Sequence, residues 1–271
     1  MWVFAAVLAI LLLFRFLAAE APAPADVPPP PGDDAAPTET NGALLEEETG
    51  LEVFTEDVAY FSGVMGRYVR PVEDGDWPGV VMVHEWWGLN EQIKDMAETL
   101  AAQGYAVLAV DLYGEVAETP DQARALSGGL DQAAAVQNLQ AAKAFLEDRG
   151  AGKVASLGWC FGGGQTLQLA LNEPLDATVI YYGRLVTDAD ELRAISSPVL
   201  GIFGEEDASI PVESVQAFDL ALDEAGVVHD VYVYPGVGHA FANPSGAAYA
   251  PDETADAWAK TLAFLAEHLK E

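Results

Sequence analysis

Gly158–Gly164 reads GWCFGGG and lies between a short apolar run and a helical pattern. This is the setting of a nucleophile elbow, in which a G-x-S-x-G turn presents a reactive side chain, with Cys160 here in the place of serine. The spacing has a steric reason, because the turn is strained and glycine at both ends avoids a clash where the backbone folds close to itself. The alternative is a glycine-rich bend beside a buried structural cysteine.

Cys160 is the single cysteine of the 271-residue chain. One cysteine excludes an intrachain disulfide and a zinc site built on several thiolates. The residue therefore fills space, links two chains or acts as a nucleophile. The helix predicted to start here would aim its positive N-terminal end at the sulfur, which favours the thiolate.

Apolar runs and helical periodicity alternate on both sides of this segment. Runs of strand length, the first two forming a hairpin, occur at Val53–Phe61, Val64–Val69, Gly79–Val83, Tyr105–Val110, Val154–Leu157, Ala177–Tyr181, Val199–Phe203 and Val228–Tyr234. Helical spacing occurs at Glu91–Ala102, Asp131–Leu146, Gly163–Leu171, Val212–Ala225 and Thr254–Leu269. Strands alternating with helices predict an α/β protein with a mostly parallel central sheet and helices on both faces.

Two further polar residues follow predicted strands in the same way as Cys160. Asp207 comes after Val199–Phe203, and His239 comes after Val228–Tyr234 among glycines and small residues. Such loops lie at the carboxyl ends of sheet strands, where ligands bind in folds of this type. Taken singly, Asp207 is better explained as a turn residue and His239 as a loop histidine bonded to backbone. The order nucleophile, acid, histidine is the one that the α/β-hydrolase fold uses, so we predict a triad.

The loop after the third predicted strand reads HEWWG at 84–88. In this fold it supplies one amide of an oxyanion hole, which we predict to be that of Trp86, with the amide of Phe161 as the second. Glu85 is placed to hold or take the proton of a nearby thiol. The string starts like the zinc motif H-E-x-x-H, but glycine at position 88 and the loop context argue against a metal. His84 is interpreted as a hydrogen-bonded histidine at a strand end.

Together these strings resemble the dienelactone hydrolase family. The motifs that carry the resemblance are HEWWGLN at 84–90, DLYG at 111–114, GWCFGGG at 158–164, YYG at 181–183, GEED at 204–207 and GHAF at 238–241. The resemblance extends from about Val53 to the C-terminus and implies the α/β-hydrolase fold. It also implies that Cys160 is the nucleophile, His239 the base, Asp207 its orienting carboxylate and Glu85 the group that controls ionisation of the thiol. The implied reaction is hydrolysis of a lactone or small ester through a thioacyl-enzyme, without metal or cofactor.

One departure from the family concerns the substrate. Family members that cleave dienelactone hold its carboxylate with arginines, one of them four residues after the catalytic histidine, where this chain has Asn243. The second arginine has no clear counterpart, and Arg124 is the nearest cation. A neutral ester therefore stays open beside a carboxylate-bearing lactone. Arg124, Trp87, Phe241 and Asn243 are the predicted substrate-binding residues, although aromatic side chains in such a fold more often belong to the core.

Two alternatives use the same residues differently. A broad carboxylesterase or thioesterase would keep the triad and differ in its pocket, so only a substrate panel separates it from a lactone hydrolase. A non-catalytic member of the fold would bind a small molecule or a partner. Its sign would be a broken triad, whereas all three residues are present here.

Residues 1–19 have the composition of a secretory signal peptide or a short membrane anchor. The apolar run before Arg15 is short for a spanning helix, which needs roughly 20 residues. Residues 20–50 are acidic and rich in proline, which predicts a disordered linker, and residues 51–271 are the predicted domain. We expect a monomer that is exported to the periplasm or the extracellular space, or tethered to a membrane through residues 2–19.

The chain carries 43 acidic and 12 basic residues, for a formal net charge of −31. That balance excludes a nucleic-acid protein that works through a basic face. Residues 20–57 hold 11 acids and no base, so residues 58–271 still carry a charge of −21. Such a surplus suits a salt-rich habitat, where self-repulsion is screened, and an ordinary acidic protein is the equal alternative.

Overall fold

The computed structural model describes residues 50–270. The predicted signal or anchor at 1–19, and the linker at 20–50 apart from Gly50, lie outside these residues. None of the described helices is long and apolar enough to cross a membrane. In the same part of the chain, no three His, Cys, Asp or Glu side chains are grouped as metal ligands would be.

The described strands form one eight-stranded sheet. Their bounds are β1 Val53–Phe61, β2 Val64–Pro71, β3 Gly79–Val83, β4 Ala106–Val110, β5 Val154–Trp159, β6 Ala177–Tyr181, β7 Val199–Gly204 and β8 His229–Tyr234. Their order across the sheet is β1-β2-β4-β3-β5-β6-β7-β8. The pairings of β2 with β1 and with β4 are antiparallel, and every other pairing is parallel. The predicted mostly parallel sheet is therefore confirmed.

Helices cover both faces of this sheet, as predicted. Within residues 50–270 they are α1 Glu91–Ala102, α2 Pro120–Gly128, α3 Gln132–Asp148, α4 Phe161–Asn172, α5 Ala189–Leu192, α6 Val212–Ala225 and α7 Pro251–Leu269. One apolar core lies under α1 and α7, and the other lies under α3, α4 and α6. Successive side chains of a strand point to opposite faces, so Val80 and Met82 of β3 enter the first core and Val81 and Val83 enter the second.

The structure adds two short helices that the sequence pattern did not predict, α2 and α5. α2 begins at a Thr119 cap with Pro120 in its first turn, and it buries only Ala123. It therefore lacks the apolar stripe on which helix prediction depends. α4 begins at Phe161, two residues before the predicted start, because the turn at Cys160 leads directly into helical backbone. The other predicted elements are confirmed to within three residues at their ends.

The sheet topology gathers the polar residues singled out in the sequence at one edge. β3, β5, β7 and β8 are parallel, so their carboxyl ends point the same way. Glu85 follows β3 by two residues, Cys160 directly follows β5, Asp207 follows β7 by three residues and His239 follows β8 by five. These four side chains therefore start from neighbouring points on the same edge.

Candidate active site

Cys160 occupies a sharp turn between β5 and α4, with φ of 53° and ψ of −117°. Positive φ is uncommon for a residue with a side chain and is a form of backbone strain that recurs at functional sites. A Cβ on Gly158 would lie 2.5 Å from the carbonyl oxygen of Gly162, and a Cβ on Gly162 would overlap the carbonyl oxygen of Val83. These approaches confirm the predicted steric reason for glycine on both sides of the elbow.

A chain of two hydrogen bonds joins Cys160, His239 and Asp207. Nε2 of His239 lies 3.1 Å from Sγ of Cys160, and Nδ1 of His239 lies 2.7 Å from Oδ2 of Asp207. Oδ1 of Asp207 accepts hydrogen bonds from the amides of Ser209 and Ile210 at 2.7 and 2.9 Å. Because an ionised carboxylate only accepts, Nδ1 of the imidazole carries a hydrogen and donates it to Asp207. Nε2 is left to exchange a proton with the sulfur.

Burial and contact together set the charges of these residues. Burial alone would raise the pKa of Asp207, but the contact with His239 and two backbone amides outweigh it and lower that pKa. Burial would lower the pKa of His239, yet the adjacent Cys160 and the Asp207 carboxylate raise it well above its usual value. The arrangement therefore favours an imidazolium beside the sulfur, which is the partner that a thiolate nucleophile needs.

The loop after β8 is pressed against the end of β7, and this contact places His239 beside Asp207. A Cβ on Gly204 would lie 2.5 Å from the carbonyl oxygen of Val237, so only glycine permits the approach. Ala240 has φ of 58°, which turns the chain directly after the histidine. The position of the imidazole therefore depends on the close approach of Val237 to Gly204 before it and on the turn at Ala240 after it.

The same loop makes a second buried contact four residues beyond His239. Nδ2 of Asn243 donates a hydrogen bond of 2.5 Å to Oε2 of Glu85, and both residues are 3% exposed. Oδ1 of Asn243 accepts from the amide and the hydroxyl of Ser245 at 2.9 and 2.7 Å, which determines which end of the amide faces the carboxylate. The structure thus joins Asn243 to Glu85. The predicted contact of Asn243 with a substrate stays a prediction.

Two backbone amides, those of the residues after Glu85 and after Cys160, have no protein acceptor. They belong to Trp86 and Phe161, and within residues 50–270 neither donates a hydrogen bond to a protein atom. Phe161 opens α4, so the positive end of the helix dipole lies at its amide. Donors in this position suit an oxyanion that develops on a carbonyl group attacked by Cys160.

Aromatic side chains surround the elbow. The rings of Trp86 and Trp87 pack edge to face with centroids 5.0 Å apart, and residues of α2 cover them together with Phe161. Phe241 is fully buried and packs against Tyr182. Trp87 and Phe241 therefore lie in packed apolar clusters, as the core alternative for aromatic residues predicts. Their contact with a substrate stays a prediction.

Arg124 lies on α2 and takes part in a surface ion pair. Nη1 of its guanidinium lies 2.5 Å from Oδ1 of Asp121, one helical turn earlier, and 48% of the Arg124 side chain is exposed. The structure brings Glu85, Cys160, Asp207 and His239 to one edge of the sheet, whereas the partner of Arg124 is in its own helix. Its predicted contact with a substrate carboxylate stays a prediction.

Two tyrosines at the site were not predicted from the sequence. Tyr182 has a positive φ of 34°, and its ring packs against the imidazole of His239 with centroids 5.2 Å apart. The ring of Tyr113 packs against those of His84 and Phe161, with centroids 4.7 and 5.1 Å away. The strings YYG and DLYG mark both positions in the sequence. Neither string indicates that the ring reaches the site, because that depends on how the loops after β4 and β6 turn.

Comparison with known proteins gives one consistent result. A family model described as "Dienelactone hydrolase family" matches residues 64–269. A "Putative carboxymethylenebutenolidase" of Saccharolobus solfataricus is 30% identical over 226 residues, with 69% of this chain and 88% of that protein covered. A protein of the same name from Methylorubrum extorquens is 32% identical over 242 residues, with 82% of this chain and 83% of that protein covered.

Solved structures agree with these sequence matches. A "Putative Dienelactone Hydrolase" from Klebsiella pneumoniae is similar with a TM-score of 0.74 and 28% identity, over 80% of this chain and 99% of that one. A dienelactone hydrolase-like promiscuous phosphotriesterase from metagenomic libraries has a TM-score of 0.72 and 28% identity, over 80% of this chain and 98% of that one. An acylaminoacyl peptidase of Pyrococcus horikoshii, with a TM-score of 0.65 and 15% identity, shares the fold alone.

Proposed function

The chain belongs to the dienelactone hydrolase family and is a hydrolase of the ester or lactone type with the α/β-hydrolase fold, and we propose that Cys160, Asp207 and His239 are its catalytic triad. The observation that carries the proposal is the unbroken chain of contacts from Sγ of Cys160 through the imidazole to the Asp207 carboxylate. The substrate is a small lactone or carboxylic ester. The steps below need the side chains and amides of this chain, and water.

The first half of the reaction forms a thioacyl-enzyme. The Cys160 thiolate attacks the carbonyl carbon, a C–S bond forms, and the π electrons of the carbonyl move to its oxygen. The amides of Trp86 and Phe161 donate hydrogen bonds to this oxyanion. When the oxyanion collapses, the C–O bond to the leaving alkoxide breaks and the His239 imidazolium supplies its proton. With a lactone, the alcohol stays attached to the acyl group because ring opening yields one molecule.

The second half of the reaction releases the acid. Neutral His239 takes a proton from water while the water oxygen attacks the thioester carbonyl. The same two amides hold the second oxyanion, whose collapse breaks the C–S bond and returns the Cys160 thiolate beside an imidazolium. Asp207 stays ionised throughout and holds the ring with Nε2 towards the sulfur and the water.

Glu85 is proposed to control the ionisation of Cys160 between turnovers. It is buried in the loop after β3, and β3 pairs with β5, whose end carries the cysteine. Nδ2 of Asn243 donates a hydrogen bond to Oε2 of Glu85 and so orients the carboxyl group. A carboxyl group held at the strand end next to that of the cysteine can exchange a proton with the thiol.

An uncharged acyl group is proposed as the preferred substrate. Family members that hold a substrate carboxylate use an arginine where this chain has Asn243, and the Asn243 amide bonds to Glu85 and Ser245 instead. Two buried carboxylates, Asp207 and Glu85, lie at the same edge of the sheet. A substrate with a negative charge would be repelled by carboxylates at this edge, and position 243 supplies no arginine to offset them.

The test compares dienelactone with its methyl ester, which share the lactone ring and differ by one charge. The purified full-length protein is assayed with both compounds and with a neutral p-nitrophenyl ester, at low and high salt. We expect the higher kcat/KM for the two neutral compounds. Mass spectrometry of acid-quenched samples is expected to find the acyl group on Cys160. Cys160→Ala is expected to lower all three activities by at least about 10³-fold.

Cys160→Ser is the matched control, because it keeps a nucleophile of similar shape without the acidity of a thiol. If Cys160→Ala keeps the wild-type activity, another group is the nucleophile and the triad proposal fails. If folded wild-type protein with a reduced Cys160 cleaves none of the three compounds, a non-catalytic binder of small molecules becomes the better interpretation.

A broad esterase, thioesterase or phosphotriesterase is the second candidate. One of the similar structures is named a promiscuous phosphotriesterase, at 28% identity over 80% of this chain. A neutral phosphotriester presents a P=O group to the same sulfur and the same amides. Adding a thioester and a neutral phosphotriester to the panel separates the candidates. Rates within about tenfold of the lactone rate indicate a broad enzyme, and a lactone preference above about 100-fold indicates a narrow one.

Export or membrane tethering through residues 2–19 is proposed from the composition of that segment, with residues 20–50 as a spacer. Cell fractionation and mass spectrometry of the N-terminus test this. A mature chain that begins near Glu20 outside the cytoplasm indicates cleavage, and an intact chain in the membrane fraction indicates an anchor. An intact chain in the cytoplasm contradicts both. Light scattering tests the predicted monomer.

A further inference from the structure

His84 is fully buried directly after β3, and both of its ring nitrogens have partners. The amide of Leu112, in the loop after β4, donates a hydrogen bond of 3.2 Å to Nε2. Nδ1 lies 2.5 Å from the carbonyl oxygen of Glu85. Because the amide only donates and the carbonyl only accepts, the ring must be neutral with its hydrogen on Nδ1. Burial lowers the pKa of His84, in agreement with the neutral form.

The carbonyl of Glu85 belongs to the same peptide unit as the amide of Trp86. No peptide bond in residues 50–270 is cis, and a trans peptide is planar with its C=O and N–H pointing in opposite directions. The hydrogen bond from Nδ1 of His84 therefore orients the whole plane. It directs the N–H of Trp86 away from the imidazole. That N–H is one of the two amides without a protein acceptor.

The same imidazole contacts the residue that carries the second of these amides. It stacks on the ring of Phe161, with centroids 5.6 Å apart and planes 16° from parallel. The next residue, Gly162, approaches the carbonyl oxygen of His84 so closely that a Cβ would lie 2.5 Å from it. One buried ring thus connects the loops after β3 and β4 with the start of α4.

We propose that His84 is a positioning residue, which holds the Glu85–Trp86 peptide plane against Phe161 so that two amides converge on one oxyanion. The inference rests on the proposed function, since converging amides matter only where an oxyanion forms at Cys160. The amide of Gly88 also donates to the same carbonyl, at 3.3 Å, but Gly88 lies within the same loop. His84 belongs to this loop too, but its ring also accepts the hydrogen bond from Leu112, so it links the peptide to the loop after β4.

Two amide substitutions at position 84 separate the two ring contacts. His84→Asn places an amide nitrogen near the position of Nδ1 and retains a donor for Glu85. His84→Gln places an amide oxygen near the position of Nε2, so it retains an acceptor for Leu112 and loses the donor for Glu85. We expect His84→Gln to lower kcat for the neutral ester by about 10- to 100-fold with KM changed by less than about threefold, and His84→Asn to lower kcat by less than about fivefold.

Alkylation of Cys160 by iodoacetamide is the control reaction. It forms a C–S bond at a saturated carbon and releases iodide, so no oxyanion develops. We expect the alkylation rates of both His84 variants to stay within about twofold of wild type. A fall in alkylation that parallels the fall in kcat would mean that His84 acts on the thiol or on the fold, and the inference would be wrong. An unchanged kcat in His84→Gln would also overturn it.

A reversible aldehyde separates failure of this inference from failure of the proposed function. The thiol of Cys160 adds across the C=O bond of 3-phenylpropanal, so that sulfur bonds to carbon and the oxygen takes the proton. The hemithioacetal oxygen then lies where the two amides converge. Binding at least about tenfold weaker in His84→Gln than in His84→Asn supports the inference even if no ester is hydrolysed. Equal binding by the two variants overturns it even if esters are hydrolysed.

The tautomer of His84 provides a readout that needs no variant to fold. ¹⁵N NMR of histidine-labelled wild-type protein at neutral pH distinguishes the two neutral tautomers and the imidazolium. We expect the ring that is most protected from solvent among the four histidines to carry its hydrogen on Nδ1. The Nε2–H tautomer at His84 excludes the hydrogen bond to Glu85, and the imidazolium excludes the one from Leu112, so either form overturns the inference.

Discussion

Asp207 and Glu85 are equally buried, each 3% exposed, at the same edge of the sheet. Asp207 accepts hydrogen bonds from the imidazole of His239 and from two backbone amides. Glu85 accepts a hydrogen bond from the neutral side-chain amide of Asn243. His239 and Asn243, the two side-chain partners, come from one loop after β8.

The two carboxylates differ in the side chains that donate these hydrogen bonds rather than in their burial. An imidazole that can become a cation lowers the pKa of Asp207 and suits a carboxylate that stays ionised throughout the reaction. The Asn243 side chain that bonds to Glu85 is an amide, which carries no charge. The comparison teaches that equal burial does not imply equal surroundings, because the group across the hydrogen bond can become a cation in one case and stays neutral in the other.

Asp207→Asn is expected to have the largest effect, because it makes the partner of His239 as neutral as that of Glu85. The change removes a charge that raises the pKa of His239 and favours the Nδ1–H tautomer, so kcat falls by about 10³- to 10⁴-fold. Catalysis needs the imidazolium as an acid and is lost as the pH rises through its pKa. The pKa of His239 is lower in the variant, so the alkaline limit of activity moves to lower pH. A pH profile of kcat/KM measures both effects, and an unmoved limit would contradict the pairing.

Glu85→Gln is expected to have the next largest effect. It preserves the shape of the Glu85 side chain but removes its ability to exchange a proton. Gln keeps an oxygen for Asn243 but cannot take a proton from the thiol, so kcat falls by about 10- to 100-fold. Glu85→Asp is the control that keeps a carboxyl group. The pH dependence of Cys160 alkylation is the measurement. A profile that is the same in wild type and Glu85→Gln would show that Glu85 does not act on the thiol.

Asn243→Ala tests the hydrogen bond to Glu85 by removing its donor. It removes the donor from a buried carboxylate and lowers the free energy of unfolding by about 1–3 kcal/mol. Urea denaturation of a double-mutant cycle measures the coupling. We expect about 0.5–3 kcal/mol of coupling with Glu85→Ala, which removes the acceptor, and nearly additive effects with Asp207→Asn. Additive effects with Glu85→Ala would mean that the hydrogen bond between the two side chains contributes little.

Arg124→Gln is expected to have the smallest effect. Arg124 pairs with Asp121 at the surface, whereas Asp207 and Glu85 are buried. Exposed ion pairs contribute little, so kcat/KM for the methyl ester of dienelactone changes by less than about twofold. The change in kcat/KM measured with dienelactone itself tests the predicted contact between Arg124 and a substrate carboxylate. A rise in KM for the charged compound alone would assign Arg124 to substrate binding.

Much of the fold and the order of the triad could be predicted because their causes are local in the chain. Hydrophobic periodicity over a few residues reveals each strand and most of the helices. The glycines at positions 158 and 162 reveal a turn in which a Cβ has no room. The order of Cys160, Asp207 and His239, each after a predicted strand, then indicates that they meet at one edge of a parallel sheet.

The sequence by itself therefore determined the α/β architecture, the elbow and the residues of the candidate triad. Only the tertiary structure decided that Asn243 bonds to Glu85 across 158 residues, that Phe241 lies in the core, and that His84 orients the peptide before Trp86. The physical reason is one of range. A turn or an apolar stripe depends on neighbouring residues, whereas the partner of a polar side chain depends on the order of strands in the sheet and on the direction in which each loop leaves its strand.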